Sequence, residues 1–216
     1  MLAQALKSDP GRKSHAERTE LSDSRMFAVT VDLIVRQGTE KTTLKAVGEG
    51  AGYSRGLAGV RFNSKQGLFC FVIRRVTEFW LEQMKASTAG KIGYAAICAA
   101  IDAHYRFCWE TPQPVRAFYI LWFESIGLEN EVHEVVLNIH RRRLLDVAAW
   151  IDQGVEAGQV TTDIDSEAVA RYFLTMMFGI VYQWLIDPLQ DGEIKQLHEQ
   201  LKLTMQVLLG EATARR

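Results

Sequence analysis

The sequence predicts an all-α protein, and two observations carry that prediction. Apolar side chains recur at spacings of three and four residues in one segment after another, whereas no stretch alternates with period two over a useful length. The 216 residues are 48% hydrophobic and 24% charged, which is typical of a globular chain with a real core and excludes disorder as the dominant state. A chain of this length holds one ordinary domain or two small ones.

Composition also argues against several classes of protein. No apolar run approaches the roughly 18 residues that cross a bilayer, and the basic N-terminal segment lacks the apolar core of a secretory signal. The cysteines are odd in number and lack CxxC spacing, so they suggest neither a disulfide framework nor a zinc module: Cys70, Cys98 and Cys108. We therefore expect a cytoplasmic protein with no membrane span, no metal and no cofactor.

The net charge of −1 conceals an uneven distribution. Residues 1–75 contain 13 Lys and Arg against 7 Asp and Glu, a net charge of +6, which leaves −7 for residues 76–216. A positive field at one end of a chain favours a polyanionic partner, although charge alone does not identify one.

The first predicted helix follows a polar arm. Residues 1–21 are basic and without periodicity, so we expect a flexible basic arm. From Ser22 to Gln37 apolar side chains recur at helical spacing, and Gly38 provides a C-terminal stop. The sequence thus predicts a first helix over about Ser22–Gln37.

Two short helices separated by a glycine-containing turn are predicted next. Thr42 or Thr43 can cap the second helix, and Ser54 can cap a third, in which we expect Leu57 and Val60 to face inward. This arrangement describes a helix-turn-helix, whose second helix can enter the major groove of DNA. Arg55 and Arg61 are expected to face outward, toward different parts of a partner, because they are not on one face of the helix.

Residues 38–68 resemble the DNA-binding segment of the TetR family of bacterial transcriptional regulators. The resemblance rests on a set of residues at fixed spacings, namely Gly38, Thr42, Thr43, Ala51, Gly52, Ser54, Phe62, Ser64, Lys65 and Leu68. It implies that Thr43 caps the second helix and touches a phosphate, and that Lys65 holds the DNA backbone. Residues 22–67 would then form the DNA-binding domain, with 68–216 as a helical regulatory and dimerisation domain.

The recognition helix departs from the family pattern. Many members have Tyr and His where this chain has Val60 and Arg61, and Gly59 lies within the helix. Arg61 could replace the lost tyrosine contact with a charge-assisted phosphate contact, and Gly59 could permit close approach to DNA. For Tyr53, packing and a phosphate hydrogen bond both remain open. The candidate DNA-binding residues are Thr43, Tyr53, Ser54, Arg55, Gly56, Gly59, Arg61 and Lys65.

The acidic two thirds of the chain are predicted to be helical throughout. Successive helices are expected over 68–88, 92–110, 115–128, 131–157, 166–186 and 193–209, with Pro112 and Pro114 breaking the chain between the second and third of these. The basic cluster at Arg141, Arg142 and Arg143 could hold an acidic ligand, but solvated surface is the preferred interpretation, because consecutive helical residues point in different directions.

The last two helices are the predicted dimer interface. They are apolar over more than one narrow face, and a helix hairpin from each of two chains would form a four-helix bundle. A dimer is also what a helix-turn-helix needs to contact two half-sites of double-stranded DNA. The resemblance assigns the same role to these helices. The candidate interface residues are Tyr172, Gly179, Ile180, Trp184, Leu197, Leu201, Met205 and Leu208.

A ligand cavity is implied by the resemblance, since TetR-family regulators commonly enclose a small-molecule effector in this domain. Aromatic side chains with polar tips suit such a cavity, although an aromatic stripe is more often plain core. The candidate ligand-binding residues are His104, Trp109, Phe118, Tyr119, Trp122, Phe123, His140, Tyr172, Met176 and Tyr182. The histidines lack HExxH spacing, so we interpret them as core or surface residues rather than metal ligands.

Three functions follow, in order of preference. The first is a homodimeric DNA-binding regulator, usually a repressor in this family, that releases its operator when an unidentified small-molecule effector binds. The second is a helical protein-interaction or small-molecule-binding module without DNA binding. The third is an enzyme with an aromatic helical cavity, which is disfavoured because no nucleophile with a base and no carboxylate pair is recognisable in the sequence.

Overall fold

The computed structural model describes residues 14–161, 165–187 and 191–210, and over these the predicted all-α class is confirmed. The described residues form nine α-helices: α1 His15–Lys41, α2 Leu44–Gly50, α3 Arg55–Phe62, α4 Lys65–Thr88, α5 Gly93–Glu110, α6 Pro112–Glu124, α7 Glu131–Glu156, α8 Ser166–Ile186 and α9 Asp191–Leu209. Most of the basic arm lies outside the described residues.

Helix α1 begins seven residues earlier than the sequence analysis predicted, so residues 15–21 are helical rather than part of an arm. A capping box starts it, because Ser14 accepts a hydrogen bond from the backbone of Glu17 while the Glu17 carboxylate accepts one from the backbone of Ser14. Near its end Gly38, with φ of 79°, interrupts the helical geometry before the last residues to Lys41. The Ser-x-x-Glu pattern at 14–17 was the signal that the prediction overlooked.

The other helix starts follow ordinary capping chemistry. Thr43, Ser54 and Ser64 each accept a hydrogen bond from the backbone three residues later, which starts α2, α3 and α4. Helix α6 begins at Pro112 rather than after the prolines, because proline is tolerated in the first turn of a helix, where the backbone N–H that it lacks would have no intrahelical acceptor.

The helices pack around two clusters of buried apolar side chains. The larger cluster runs from Met26 in α1 through α4 and α6 to Trp184 in α8, so the N-terminal helices and the rest of the chain share a continuous core. The smaller one joins α5, α7, α8 and α9. Helix α1 packs on α6, and α4 packs on α5, α6 and α7. Helix α4 is therefore common to the N-terminal helices and the C-terminal part.

Helix α8 is the most apolar of the described helices, and by length and hydropathy it could span a membrane. Its buried face includes Val169, Phe173, Met177 and Val181, which pack within the chain. Burial in the protein core therefore accounts for part of the apolar character of this helix.

Candidate functional site

Helices α2 and α3 form a compact helix-turn-helix against α1. Val47, Ala51, Ala58 and Phe62 are buried and hold the pair in place. The Thr43 hydroxyl accepts a hydrogen bond from the Ala46 amide at 3.1 Å, so this side chain starts α2 at the protein surface. The amides at the exposed start of such a helix are suited to a phosphate.

The exposed side of α3 differs from the prediction at two residues. Leu57 and Val60 were expected to face inward, but both are exposed, and Val60 is 87% accessible. The inward prediction was wrong because Ala58 and Phe62, four residues apart, form the buried stripe, and Val60 lies about 200° from each of them around the helix axis. An exposed valine on a recognition helix can contact a thymine methyl group.

Gly56 and Gly59 leave the surface of α3 open to a partner. A Cβ atom at Gly59 would meet no atom within 4 Å, and one at Gly56 would meet only the Ser54 hydroxyl, at 3.6 Å. Packing within the chain therefore does not require glycine at either residue. Both glycines are suited to close approach of another molecule to the helix backbone.

Arg61 is paired within the chain. Its Nε atom donates to Asp23 Oδ1 at 2.8 Å and one Nη atom donates to Asp23 Oδ2, so the side chain joins α3 to α1 through a two-point ion pair. The Asp23 carboxylate is almost fully buried, and its hydrogen bond raises the pKa of Arg61 further. In the free protein the half-exposed Arg61 side chain is therefore committed to Asp23, and its phosphate contact stays a prediction.

The remaining DNA-binding candidates lie around the same surface. Lys65 Nζ donates to the backbone carbonyl of Glu40 at 3.1 Å, at the junction of α1 and α4. Tyr53 is half-buried and packs on the larger core cluster. Arg55 is the first residue of α3, and Ser54 caps that helix by accepting from the Leu57 amide.

A cavity of about 300 Å³ lies in the C-terminal part of the chain. Five helices contribute side chains to its wall: Thr77, Trp80, Leu81 and Met84 from α4, Ala100 and His104 from α5, Tyr119 from α6, Asn138, Ile139, Arg142, Arg143, Asp146, Val147 and Trp150 from α7, and Phe173, Leu174, Met177 and Phe178 from α8. Its volume is at the lower end of the range of about 300–1,000 Å³ that is usual for small-molecule sites.

The most unusual group in the cavity wall is the guanidinium of Arg143. It lies over three aromatic rings, 5.2 Å from the centroid of Trp122, 5.6 Å from Phe118 and 5.8 Å from Trp80. Its Nε atom is buried and has no hydrogen-bond partner, and the buried Thr77 hydroxyl in the same wall has none either. A buried donor without a partner is costly to a folded protein, so such groups in a cavity wall mark a place for a ligand.

A buried hydrogen-bonded chain leads from the cavity to α9. The Tyr119 hydroxyl lies 3.1 Å from His104 Nε2, and His104 Nδ1 lies 2.9 Å from His198 Nε2. His198 Nδ1 in turn lies 2.7 Å from the carbonyl oxygen of Ile194. Burial lowers the pKa of both histidines and raises the pKa of Tyr119 to about 12.

The structure brings only some of the predicted ligand-binding residues to the cavity. His104 and Tyr119 line it. Phe118, Trp122, Phe123 and His140 do not line it but belong to the same neighbourhood, in which Phe118 and Trp122 contact Arg143, and the rings of Trp122, Phe123 and His140 contact Phe178. Met176 packs on the smaller core cluster, and Trp109, Tyr172 and Tyr182 are exposed outside the wall.

Several residues of the wall are absent from the predicted ligand-binding set, above all Arg143, Thr77 and Phe178. A signal for the first two was present. Arg143 lies seven residues after the buried Val136 and four before the buried Val147, within the inward stripe of α7. Thr77 likewise lies four residues after Ile73 and three before Trp80, in the buried stripe of α4. In both helices, a polar residue at a buried position of an apolar stripe was the signal that would have predicted a cavity residue.

The predicted dimer residues fall into two groups. Ile180, Trp184, Leu201 and Met205 are buried within the chain, so they support the hairpin from inside rather than offering a surface. Tyr172 and Gly179 are exposed, whereas Leu197 and Leu208 are partly buried. Among the described residues of the hairpin, the large exposed apolar side chains are the predicted Tyr172 together with Tyr182 and Ile186 on α8 and Leu203 and Val207 on α9.

These features define a class of protein. An exposed helix-turn-helix at the basic end of an all-α chain is joined by one long helix to a part that contains a cavity, and this organisation is suited to a DNA-binding regulator.

Comparison with known proteins narrows that class. Residues 27–70 match the family of bacterial regulatory proteins of the tetR family. The HTH-type transcriptional regulator YfiR of Bacillus subtilis is 24% identical over 201 residues, which cover 91% of this chain and 95% of that protein. The helix-turn-helix segment is therefore similar to that of tetR-family regulatory proteins, and the similarity to YfiR, a transcriptional regulator, extends over most of the chain.

Solved structures share the fold over most of this chain. A transcriptional regulator from Saccharomonospora viridis in complex with choline has a TM-score of 0.74 at 15% identity, over 87% of this chain and 96% of that one. The regulator FadR from Bacillus subtilis in complex with stearoyl-CoA has a TM-score of 0.72 at 12% identity, over 84% and 96% of the two chains.

Proposed function

We propose that this chain is a cytoplasmic, homodimeric repressor that leaves its operator when a small molecule binds in the cavity of the C-terminal part. One observation carries the proposal: α4 begins at Lys65, beside the recognition helix, and supplies Thr77, Trp80, Leu81 and Met84 to the cavity wall. Lys65 and Thr77 are about 18 Å apart along this single helix, so a ligand that tilts α4 also moves the DNA-binding part.

Helix α6 offers a second connection between the cavity and the DNA-binding part. It contributes Tyr119 to the wall and packs on α1, which Asp23 joins to Arg61 in the recognition helix. A ligand that favours one position of α4 and α6 changes the separation of two recognition helices in a dimer. Effector binding shifts this equilibrium only by its difference in affinity for the two states.

DNA binding and effector binding are assigned to different parts of the chain. Residues 22–67 form the DNA-binding domain, in which Thr43, Ser54, Arg55 and Lys65 contact phosphates or base edges, and residues 68–216 form the regulatory and dimerisation domain. The related regulators in complex with choline and with stearoyl-CoA support a small-molecule effector for this chain.

DNA binding can be tested with the duplex that lies upstream of the chain's own gene. Filter binding at several salt concentrations should give specific binding that weakens steeply as salt rises, since phosphate contacts release counterions. A scrambled duplex of the same length is the control. Equal affinity for both duplexes would leave a helical protein-interaction module as the better description.

A further inference from the structure

We propose that the effector is a small organic acid with an apolar or aromatic body, whose carboxylate pairs with Arg143. This inference rests on the proposed function of the cavity as an effector site and adds the chemical class of the ligand. It follows from the charges, the unpaired donors and the size of the cavity wall.

The cavity carries one cation that is not neutralised. Arg142 Nε lies 2.9 Å from Asp146 Oδ1, so these two opposite charges in the wall cancel each other. No carboxylate in the described ranges lies within ion-pair distance of Arg143, whose Nε is buried without a hydrogen-bond partner. The buried Nε atom is poorly solvated, which makes an incoming anion a favourable partner for the guanidinium.

The neighbouring polar groups complete a site for an anion. The unpaired Thr77 hydroxyl can donate a second hydrogen bond to a carboxylate. His104 and His198 are kept neutral by burial, so they add no further charge to this part of the protein. Apart from Asn138 and the Arg142–Asp146 pair, the rest of the wall is apolar or aromatic and would surround a hydrocarbon or ring.

Other ligand classes suit the same wall less well. An organic cation in the cavity would be repelled by the Arg143 guanidinium, which already lies over the ring of Trp80 in the wall. A neutral ligand without an acceptor would leave the Arg143 Nε donor unpaired. The cavity of about 300 Å³ limits the ligand to a small molecule.

The test compares probes of equal shape and different charge. Phenylacetate, 2-phenylacetamide and phenethylamine, together with octanoate and octanamide, are titrated into the full-length protein by calorimetry near pH 7.5. We expect at least one carboxylate to bind tenfold or more tightly than its amide, and the amine to bind most weakly. Arg143→Gln should abolish the preference for carboxylate over amide.

Matched variants keep the result interpretable. Arg141→Gln removes an exposed arginine of the same triplet outside the cavity and should leave the preference unchanged. Thr77→Val conserves volume and should weaken carboxylate binding severalfold, which tests the site even if Arg143→Gln fails to fold. Equal affinity for acid and amide, no binding of either carboxylate at millimolar concentration, or an unchanged preference in both cavity variants would overturn the proposal.

The two proposals fail in different ways. Carboxylate binding through Arg143 without release of DNA would contradict the effector function but keep the ligand class. Release of DNA by an amine or a neutral compound alone would keep the function and overturn the ligand class.

Discussion

His104 and His198 form a buried hydrogen bond between α5 and α9, with 2.9 Å between His104 Nδ1 and His198 Nε2. The carbonyl of Ile194 can only accept, so His198 Nδ1 must carry its proton. With both rings neutral, His198 Nε2 is then an acceptor, His104 Nδ1 is the donor, and His104 Nε2 accepts from the Tyr119 hydroxyl. The backbone carbonyl of Ile194 thus fixes the direction of every hydrogen bond from His198 to Tyr119.

Both rings are held neutral by their surroundings. Burial is the largest cause that lowers the pKa of His104, followed by the neighbouring His198 and Arg143. Burial also lowers the pKa of His198, although the Ile194 carbonyl and the carboxylates of Asp102 and Glu199 oppose the shift. The pair is therefore uncharged near neutral pH, and protonation of either ring would break the fixed direction of the hydrogen bonds.

Acid should destabilise the fold through this pair. The unfolded histidines take up protons below their ordinary pKa of 6.5, whereas the buried rings remain neutral until a lower pH. The unfolded state then binds more protons, so the free energy of unfolding falls as pH drops below 6.5, by at most about 1.4 kcal/mol per pH unit for each ring. Urea unfolding, followed by tryptophan fluorescence between pH 8 and 5, measures this effect.

Single substitutions separate the pair from other acid-sensitive groups. His198→Gln removes one ring and should reduce the loss of stability between pH 7 and 5.5, even though it lowers stability overall. His15→Gln, at the exposed start of α1, is the matched control and should leave the pH dependence unchanged. An unaltered pH dependence in His198→Gln would contradict this account.

Arg61 and Lys65 should affect DNA binding in different ways. Arg61 holds α3 against α1 through the buried Asp23 carboxylate, so Arg61→Gln should lower the free energy of unfolding by about 1–3 kcal/mol, the lower values reflecting its half-exposed side chain. It should weaken DNA binding without reducing the salt dependence. Lys65→Ala should weaken binding to all duplexes equally. It should also reduce the slope of log affinity against log salt concentration by about 1, the value for one lost phosphate contact, and filter binding over a salt series measures both effects.

A reduced salt slope in Arg61→Gln would show instead that Arg61 leaves Asp23 and contacts a phosphate in the complex. Asp23→Asn is the companion variant, because it breaks the ion pair while keeping the arginine charge. If positioning is the role of Arg61, both variants weaken DNA binding to a similar degree.

The sequence predicted the helices well because their signals are local. Caps at Thr43 and Ser54 and apolar residues at spacings of three and four placed α2, α3 and most of the later helices within a few residues of their observed bounds. For the recognition helix α3, the bounds were predicted correctly but the buried face was not. With only eight residues, it is too short for periodicity to show that Ala58 rather than Leu57 and Val60 faces the core.

The cavity was harder to predict because it depends on which residues meet across helices. Arg143 belongs to a basic triplet that resembles solvated surface in the sequence, and only the packing of α4, α6 and α7 places its guanidinium over three rings. Trp109 and Tyr182, by contrast, are of the residue types that suit a cavity wall, but both are exposed. Residue types alone predicted that a cavity would have aromatic side chains in its wall, but they did not identify which aromatic residues these are.

Gly59 offers a test in which stability and function move in opposite directions. Alanine at this residue meets no atom of the chain and favours a helix, so Gly59→Ala should raise the free energy of unfolding by up to about 1 kcal/mol. If α3 lies against DNA here, the added methyl group should weaken operator binding about tenfold, as measured by fluorescence anisotropy. A more stable protein with unchanged affinity would exclude Gly59 from the DNA-contacting surface.

The exposed face of the α8–α9 hairpin should hold two chains together. Tyr172, Gly179, Tyr182 and Ile186 follow one another on α8 at spacings of seven, three and four, and Val207 on α9 is 82% exposed. Buried charge is costly at an apolar interface, so Val207→Glu and Ile186→Glu should convert a dimer into monomers in sedimentation experiments.

These substitutions should leave the thermal unfolding of the separated chain nearly unchanged, since neither side chain belongs to the core. Ile126→Glu, which places the same charge on an exposed isoleucine after α6, is the control and should remain dimeric. Because specific binding requires two recognition helices at a fixed separation, the monomeric variants should lose operator specificity as well. A dimer that survives both substitutions would show that a different face joins the chains.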